Sequence, residues 1–497
     1  MDYSEDSTFL LTLCISCLFL ALWAKNLIWK NGNLPPGPRP LPIIGNVLHL
    51  RGDYIKILKK FGRTYGDVCT IYLGSRPVIV VTGYKTVKEV LVDRGDDFLA
   101  RGDMPSFDAY CDNHGMAFTS DMHRWRELRR FSLTAMRDFG MGKKSTEEKI
   151  QEEAACLVME LKRMKGTFFN PRECLSKPPC NIVFSIMFGH REEYDNEELL
   201  NVLKYISESF HLICSPWGQL YEMFPRIMWF VPGPHQMIFK NLEKLLIFVD
   251  KRINMNAETL DPDNPRDYID AFLIKREKEK TDPHSEFTLK NLKMSLLQIF
   301  YAGTETMSNT LIYALLLMMK YPEILAKVQE EIDHVIGRNR GPMLQDRSKM
   351  TYTDAVIHEI QRFVDLLPLG VPRKTPRDIE FKGYNIPKGT NVFIMISSAL
   401  MDPSCFPHPH EFNPQNFLDE KGDFKKNEAF LPLGAGKRVC LGEALVRMEL
   451  FLFFVTILQN FTLKSQVPAE QLDITPDVSG FGNLPKSYQI AFTPKVQ

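Results

Sequence analysis

From Thr288 to Lys320 the chain keeps an apolar pattern of helical period, and Pro322 both ends it and opens the next helix. At the usual rise per residue such a helix reaches about 50 Å, the width of a large domain. An element this long and apolar belongs at a domain centre, with the remaining chain packed around it. Short β-rich runs, Val68 to Leu73 and Pro77 to Val81, flank Gly74-Ser75 as a hairpin would, and a second hairpin-like stretch covers Ile379 to Phe393. Beyond the first pair helical periodicity dominates, and no linker is long enough to split the chain. The expected fold class is mainly α with small β-sheets.

Midway along the central run sits Ala302-Gly303-Thr304-Glu305-Thr306. Gly303 weakens a helix and a threonine hydroxyl can capture a freed carbonyl, which predicts a local kink. A carboxylate beside a hydroxyl in an apolar helix is costly unless it is used. On the residues alone this is either back-bonding threonine plus a surface glutamate, or a polar working site.

A second constraint lies at Phe430 to Arg447, where a glycine-studded turn delivers Cys440 just before an apolar helical run from Ala444 to Leu458. A cysteine at a helix start feels the positive end of the helix dipole, and Lys437 and Arg438 add charge. Each lowers the thiol pKa and favours thiolate, the form that binds metal. Gly436 and Gly442 suit a backbone that turns tightly and lies against something flat. Arg438 suits a carboxylate partner. An isolated cysteine is more often a buried small hydrophobe, but the glycine and basic surround favours the metal-binding reading.

Sixty-one basic residues balance sixty-one acidic ones, which excludes a polyanion or nucleic-acid binder. Ten scattered cysteines have no framework spacing and fit a reducing compartment. Thr8 to Ala24, extended by Leu27 to Trp29, has about the length of one membrane span. Its leader is acidic and Lys25 and Lys30 follow it, so it reads as an uncleaved anchor with the bulk of the chain in the cytosol. The expected domains are therefore an anchor over 1–30 and a catalytic domain over 31–497. The latter opens with a stiff, proline-dense hinge over 31–45. The aromatic, proline-broken segment Ser215 to His235 is either a core-packed loop or a patch that touches membrane. Cys405, His408 and His410 lack a fourth ligand and make a poor zinc site.

Leu433-x-x-Gly436-x-Arg438-x-Cys440-x-Gly442 resembles the haem-binding loop of the cytochromes P-450, the haem-thiolate monooxygenases; the usual aromatic position is Leu433, with Phe430 three residues upstream. Three further motifs of that family occur in order: Ala302-Gly303-x-Glu305-Thr306, Glu359-x-x-Arg362, and Phe412 to Phe417 as F-x-P-x-x-F, with Asn416 where an Arg or His is usual. Intervening stretches resemble its microsomal family-two branch. The resemblance implies a single catalytic domain of the cytochrome P-450 fold, with haem b between the central helix and the helix after Cys440. It implies Cys440 as the axial ligand, and Arg101, Trp125, Arg129, Arg373 and Arg438 at the propionates, with Gly436 and Gly442 in the cofactor loop. Glu305 and Thr306 would bind oxygen and deliver protons. Phe118, Ala302, Leu366, Val371 and Phe481 match substrate-contacting positions, and Glu359 and Arg362 a structural lock.

By the same resemblance the chain sits on the endoplasmic reticulum membrane as a single-pass protein facing the cytosol, with Ser215 to His235 as an entrance lip on the lipid. No G-x-G-x-x-G or P-loop is present to bind NADPH. Electrons would come from an NADPH–haemoprotein reductase, aided by cytochrome b5, with Arg126 and Arg130 as a docking face. Two rivals predict different behaviour: a haem-thiolate peroxide isomerase without an electron donor, and a non-enzymatic haem sensor or carrier indifferent to Thr306→Ala.

Overall fold

The structure is a computed structural model in which residues 8, 11–18, 33–139 and 144–495 are described. Seven helices position the site: α1 (Met122–Asp138), α2 (Lys177–Met187), α3 (Glu197–Cys214), α4 (Pro216–Met223), α5 (Leu289–Lys320), α6 (Thr351–Val364) and α7 (Glu443–Asn460). The expected central helix is α5. Thr288 caps it by accepting from the Asn291 N–H at 3.1 Å, and residues on all its sides are buried against α2, α3, α6 and α7. Helix α7 is likewise enclosed from Met448 to Gln459. These two helices form the frame on which the rest is hung.

Helix α5 runs without interruption from Leu289 to Lys320. The expected capture of a carbonyl by a threonine hydroxyl is present and repeated: Thr306 bonds Ala302 (2.5 Å), Ser308 bonds Thr304 (2.7 Å) and Thr310 bonds Thr306 (2.7 Å). Gly303 has a packing reason, because a Cβ there would come within 2.5 Å of Val183 on α2. Its lack of a side chain brings two helices together rather than loosening one.

A five-stranded sheet flanks the helices, built from β1 (Val68–Leu73), β2 (Arg76–Val81), β3 (Ala100–Arg101), β4 (Arg373–Lys374) and β5 (Asn391–Ile394), in the order β1-β2-β5-β4-β3. The first hairpin turns at Gly74 as expected, with Val68 opposite Val81. The second expected hairpin is shorter than the run that suggested it. Ile379–Phe381 pairs with Tyr384–Ile386, whereas β5 leaves to lie parallel to β2. A later hairpin, β6 (Pro476–Ser479) and β7 (Asn483–Pro485), carries Gly480-Phe481-Gly482 at its tip.

Residues 34–40 form neither helix nor strand, in keeping with their proline content. Most of the expected anchor lies outside the described residues; among the described ones no helix is long and apolar enough to cross a membrane.

Candidate functional site

A cavity of about 350 Å³ opens between α5 and α7, with a largely apolar wall. Helix α5 contributes Ala302, Gly303 and Thr306; the turn before α7 contributes Leu433, Cys440 and Gly442. All five residues expected to contact substrate line it: Phe118, Ala302, Leu366, Val371 and Phe481. Phe118 stacks on Phe107 with ring centroids 4.4 Å apart, and Tyr301 meets Phe107 edge-on at 5.5 Å. Neither Phe107 nor Tyr301 carries a sequence signal that separates it from ordinary core aromatics.

The cysteine loop is set by its backbone. Cys440 N–H donates to the Leu433 carbonyl at 2.9 Å, and Gly434 and Gly436 both take positive φ, 73° and 68°. A Cβ on Gly436 would sit 2.0 Å from the Leu91 carbonyl oxygen. Gly436 therefore serves close approach to Leu91 and does not line the cavity. Gly442 does line it, and a Cβ there would meet nothing within 4 Å, so its bare backbone leaves room for a flat ligand.

Cys440 is half-buried, and burial pushes its thiol up; the Gly442 N–H and Arg129 pull it down and Glu443 pushes it up. This corrects the expected depression. The apolar wall outweighs the turn's positive charge, and Lys437 contributes none of it because its ammonium pairs with Asp96 at 2.6 Å.

Charge is concentrated on one wall. Arg101, Arg129, Arg373 and Arg438 line the cavity beside Trp125, over whose ring the Arg438 guanidinium lies at 4.4 Å. Strand register causes part of this, since Arg101 and Arg373 are direct cross-strand partners in β3 and β4. Like charges in that relation are destabilising unless something offsets them. Burial lowers all four pKa values, Arg373 to about 10 and Arg438 to about 8, and the Arg129 charge depresses the other three further. Arg438 donates to the Leu99, Met116 and Thr119 carbonyls, Arg101 to Ala117 and Val371, and Arg129 to Val439. Among the described residues no carboxylate pairs with any of them, and Arg373 makes no side-chain hydrogen bond. Four guanidiniums around an apolar slot, Arg373 and Arg438 buried and Arg101 and Arg129 half-buried, fit a flat ligand with anionic groups at one edge, and the propionates of haem meet that description.

Thr306 faces the cavity with its hydroxyl on the Ala302 carbonyl, while Glu305 does not line it. Glu305 is buried on another face of α5, where Oε2 accepts from Asn309 Nδ2 at 3.0 Å and lies 3.6 Å from Arg172; among the described residues Oε1 has no close hydrogen-bond partner, although the Ser207 side chain adds to the pull on the carboxyl. Burial raises its pKa, against the pull of Arg172 and Asn309. The two residues that the motif sets side by side thus project differently, as neighbours on a helix must.

Away from the cavity, Glu359 and Arg362 form a fully buried two-point pair, Nε to Oε2 and Nη2 to Oε1, each 2.7 Å. Arg362 spends its other donors on the Leu400, Pro409 and Glu411 carbonyls. Glu359 also accepts from Asn413 N–H at 2.8 Å and from Asn416 Nδ2 at 3.2 Å on both oxygens. An uncharged Asn416 therefore fills the third position. Replacing Glu359 by Gln should cost about 3–5 kcal/mol, because it strands a buried guanidinium. The check is thermal unfolding of the variant together with its haem content.

Cytochrome P450 is the family model that matches, over residues 35–492. The chain is 50% identical to cytochrome P450 2G1 of Oryctolagus cuniculus over 99% of each protein. It is 49% identical to cytochrome P450 2C11 of Rattus norvegicus over 98% of each, and 48% identical to cytochrome P450 2C3 of Oryctolagus cuniculus over 98% of this chain and 100% of the relative. A match of this length, over a cavity with a cysteine on one wall and four arginines on another that find no carboxylate among the described residues, leaves one conclusion: the chain belongs to the cytochrome P450 family of haem-thiolate monooxygenases.

Proposed function

We propose that the protein is a microsomal monooxygenase that inserts one oxygen atom from dioxygen into neutral, lipophilic small molecules, with electrons from an NADPH–haemoprotein reductase. The observation that carries this reading is the convergence of Cys440 and the Arg101, Arg129, Arg373 and Arg438 group on one apolar cavity. Cys440 Sγ would hold the haem iron, the arginines and Trp125 its propionates, and Gly442 would leave space for the ring. When bound, the haem activates dioxygen, and the thiolate's electron donation favours O–O cleavage.

The chain's own residues do the rest. Phe107, Phe118, Leu366, Val371 and Phe481 would hold the substrate and exclude water, and they offer no charged partner to an ionised substrate. Thr306 Oγ1 is the hydroxyl on the α5 wall that can turn from the Ala302 carbonyl toward the cavity and hand over its proton. Glu305 would replace that proton from behind, its raised pKa suiting a carboxyl that carries one. Exposed Arg126 and Arg130, on α1, offer an acidic electron donor, reductase or cytochrome b5, a place to dock.

Membrane attachment draws on two apolar patches besides the 1–30 anchor. In the Ser215 to His235 segment Ile227, Trp229 and Phe230 are 61%, 55% and 83% exposed, and after the proline hinge so are Leu41, Ile43 and Leu48, at 41%, 57% and 53%. Gly74 lies between them, near both Phe224 and the Ile43 carbonyl, so both patches occupy one side of the molecule. Such a side suits a lipid surface on the endoplasmic reticulum.

The test is turnover of an apolar substrate by membranes reconstituted with the reductase under isotopically labelled dioxygen. One labelled oxygen atom in the product, dependent on the reductase, is the expected result. Turnover of an organic peroxide without reductase, or no turnover at all, would favour the isomerase or the carrier instead.

A further inference from the structure

The β6–β7 hairpin tip, Gly480-Phe481-Gly482, is wedged between two other parts of the cavity wall. On one side a Cβ on Gly480 would approach Gln219 Nε2 to 2.3 Å and the Cys214 carbonyl oxygen to 2.7 Å. On the other, a Cβ on Gly482 would lie 3.3 Å from both Cys214 Sγ and the Leu366 carbonyl oxygen. Glycine at both places lets the hairpin press this close, and Phe481 is left projecting into the cavity, edge-on to Phe210 at 6.2 Å.

One residue ties the tip down. Asn483 is buried, and it reaches across to the end of α6 twice: its Nδ2 donates to the Asp365 carbonyl at 2.8 Å and its N–H to the Leu366 carbonyl at 2.9 Å. Its Oδ1 accepts from Ser479 Oγ at 2.7 Å, which closes the hairpin on itself. All the hydrogen-bonding groups of that side chain thus serve to fix Phe481 relative to Leu366. Asp365 takes a left-handed conformation, φ 47°, so the chain turns sharply into the Leu366 wall just where Asn483 holds it. A third tie runs outward. Gln219 Nε2, on α4 within the exposed apolar segment, donates to the Cys214 carbonyl at 3.1 Å and to the Ser479 carbonyl at 3.2 Å.

We propose that Asn483 is a specificity-positioning residue: it clamps the Phe481 and Leu366 walls into one body, which Gln219 links to the entrance segment, so that the shape offered to a substrate is set as a unit. Asn483 itself need not touch substrate. The inference rests on the cavity being the haem and substrate pocket. Loss of the side-chain bonds leaves Phe481 free to shift against Leu366, which changes the fit of anything that reaches that wall and nothing at the iron.

Two iron-binding probes separate these effects. Imidazole reports the iron alone, whereas 4-phenylimidazole also presses a ring against the wall. Both dissociation constants are read from the Soret red shift of the full-length holoprotein in wild type, Asn483→Leu and Asn483→Asp; the latter keeps the acceptor for Ser479 and loses the donor to Asp365. Expected is a weakening of 4-phenylimidazole by about fivefold, the worth of one buried hydrogen bond, with imidazole unchanged within about twofold. Equal weakening of both probes, or no change in either, overturns the proposal. If the Asn483 variants bind no haem, Ser479→Ala and Gln219→Ala carry the same comparison, and an unchanged ratio in both overturns it. A wild-type protein that shows no red shift with imidazole would instead sink the haem reading on which the clamp rests.

Discussion

Cys440→His should keep the fold and bind haem, yet lose the long-wavelength carbonmonoxy Soret band of the dithionite-reduced protein and with it all reductase-dependent turnover. The fold should survive because the loop's shape does not depend on the thiol. Leu433 accepts from the Cys440 backbone N–H, Gly434 and Gly436 supply the left-handed turns, and Arg129 holds the Val439 carbonyl at 2.6 Å. Haem should still bind because four arginines and Trp125 remain to hold its acidic edge. What disappears is the anionic sulfur. The apolar surround pushes the Cys440 thiol up, and coordination to iron is what would stabilise the anionic sulfur there. An imidazole in its place is neutral and donates less electron density, so O–O cleavage loses its push. The measurement is the carbon monoxide difference spectrum of wild type and variant side by side. A wild type lacking the long-wavelength band would remove the monooxygenase mechanism and bring the haem carrier forward. A variant that kept it would mean that another of the ten cysteines is the ligand.

How much of this was legible in the sequence follows from the range of each interaction. The central helix, its threonine cap and the first hairpin are local, and their patterns sit in contiguous residues. The wall chemistry is not local. Arg101 and Arg373 stand 272 residues apart in the chain and meet through strand pairing, a register that no composition or period encodes; their grouping was expected only because of the family resemblance. The same resemblance puts Gly436 in the cofactor loop without saying that its neighbour is the Leu91 carbonyl, since a motif records that glycine is required and not what lies against it. Lys437 illustrates the converse error. Sequence proximity to Cys440 suggested an electrostatic role, but a flexible side chain at an exposed position finds the nearest acid, here Asp96. Asn416 stands where the family usually has an Arg or His, and the geometry shows why it serves: its amide reaches both Glu359 oxygens while Arg362 supplies the charge. Asn483 gave no sequence signal at all, because its partners are backbone carbonyls, which carry no side-chain identity to recognise.

Thr306→Ala should leave the carbonmonoxy band and substrate affinity nearly unchanged while the product formed per NADPH consumed falls by about a hundredfold, the low end of what a positioned proton donor contributes. Binding should persist because the hydroxyl makes its hydrogen bond to the Ala302 carbonyl and not across the cavity, and the methyl group of alanine keeps the wall apolar. The helix should persist as well. Alanine is the best helix former, and the Ala302 carbonyl stays in an unbroken α5. What is lost is the hydroxyl beside the Ala302–Gly303 wall; Thr304 does not line the cavity, while Tyr301 and Thr310 do, Thr310 with its hydroxyl on the Thr306 carbonyl one turn further along. Electrons still arrive from the reductase, but without a proton delivered in place for O–O cleavage the two-electron-reduced oxygen takes two protons from water and leaves as hydrogen peroxide. The experiment therefore measures three quantities on one sample: NADPH consumed, peroxide released and product formed. Thr306→Ser, which keeps the hydroxyl, should restore most of the coupling. Rescue by serine distinguishes proton delivery from a loss of packing, since serine lacks the methyl group that a packing role would need. Glu305→Gln tests the next link. If Glu305 reprotonates Thr306 from behind the helix, the variant should slow turnover, and its loss should not add to that of Thr306→Ala in the double variant, as expected for two groups on one route. Full additivity would mean that protons reach Thr306 by a path that does not pass through Glu305, and the buried Glu305–Asn309–Arg172 group would then be a fastening between α5 and its neighbour.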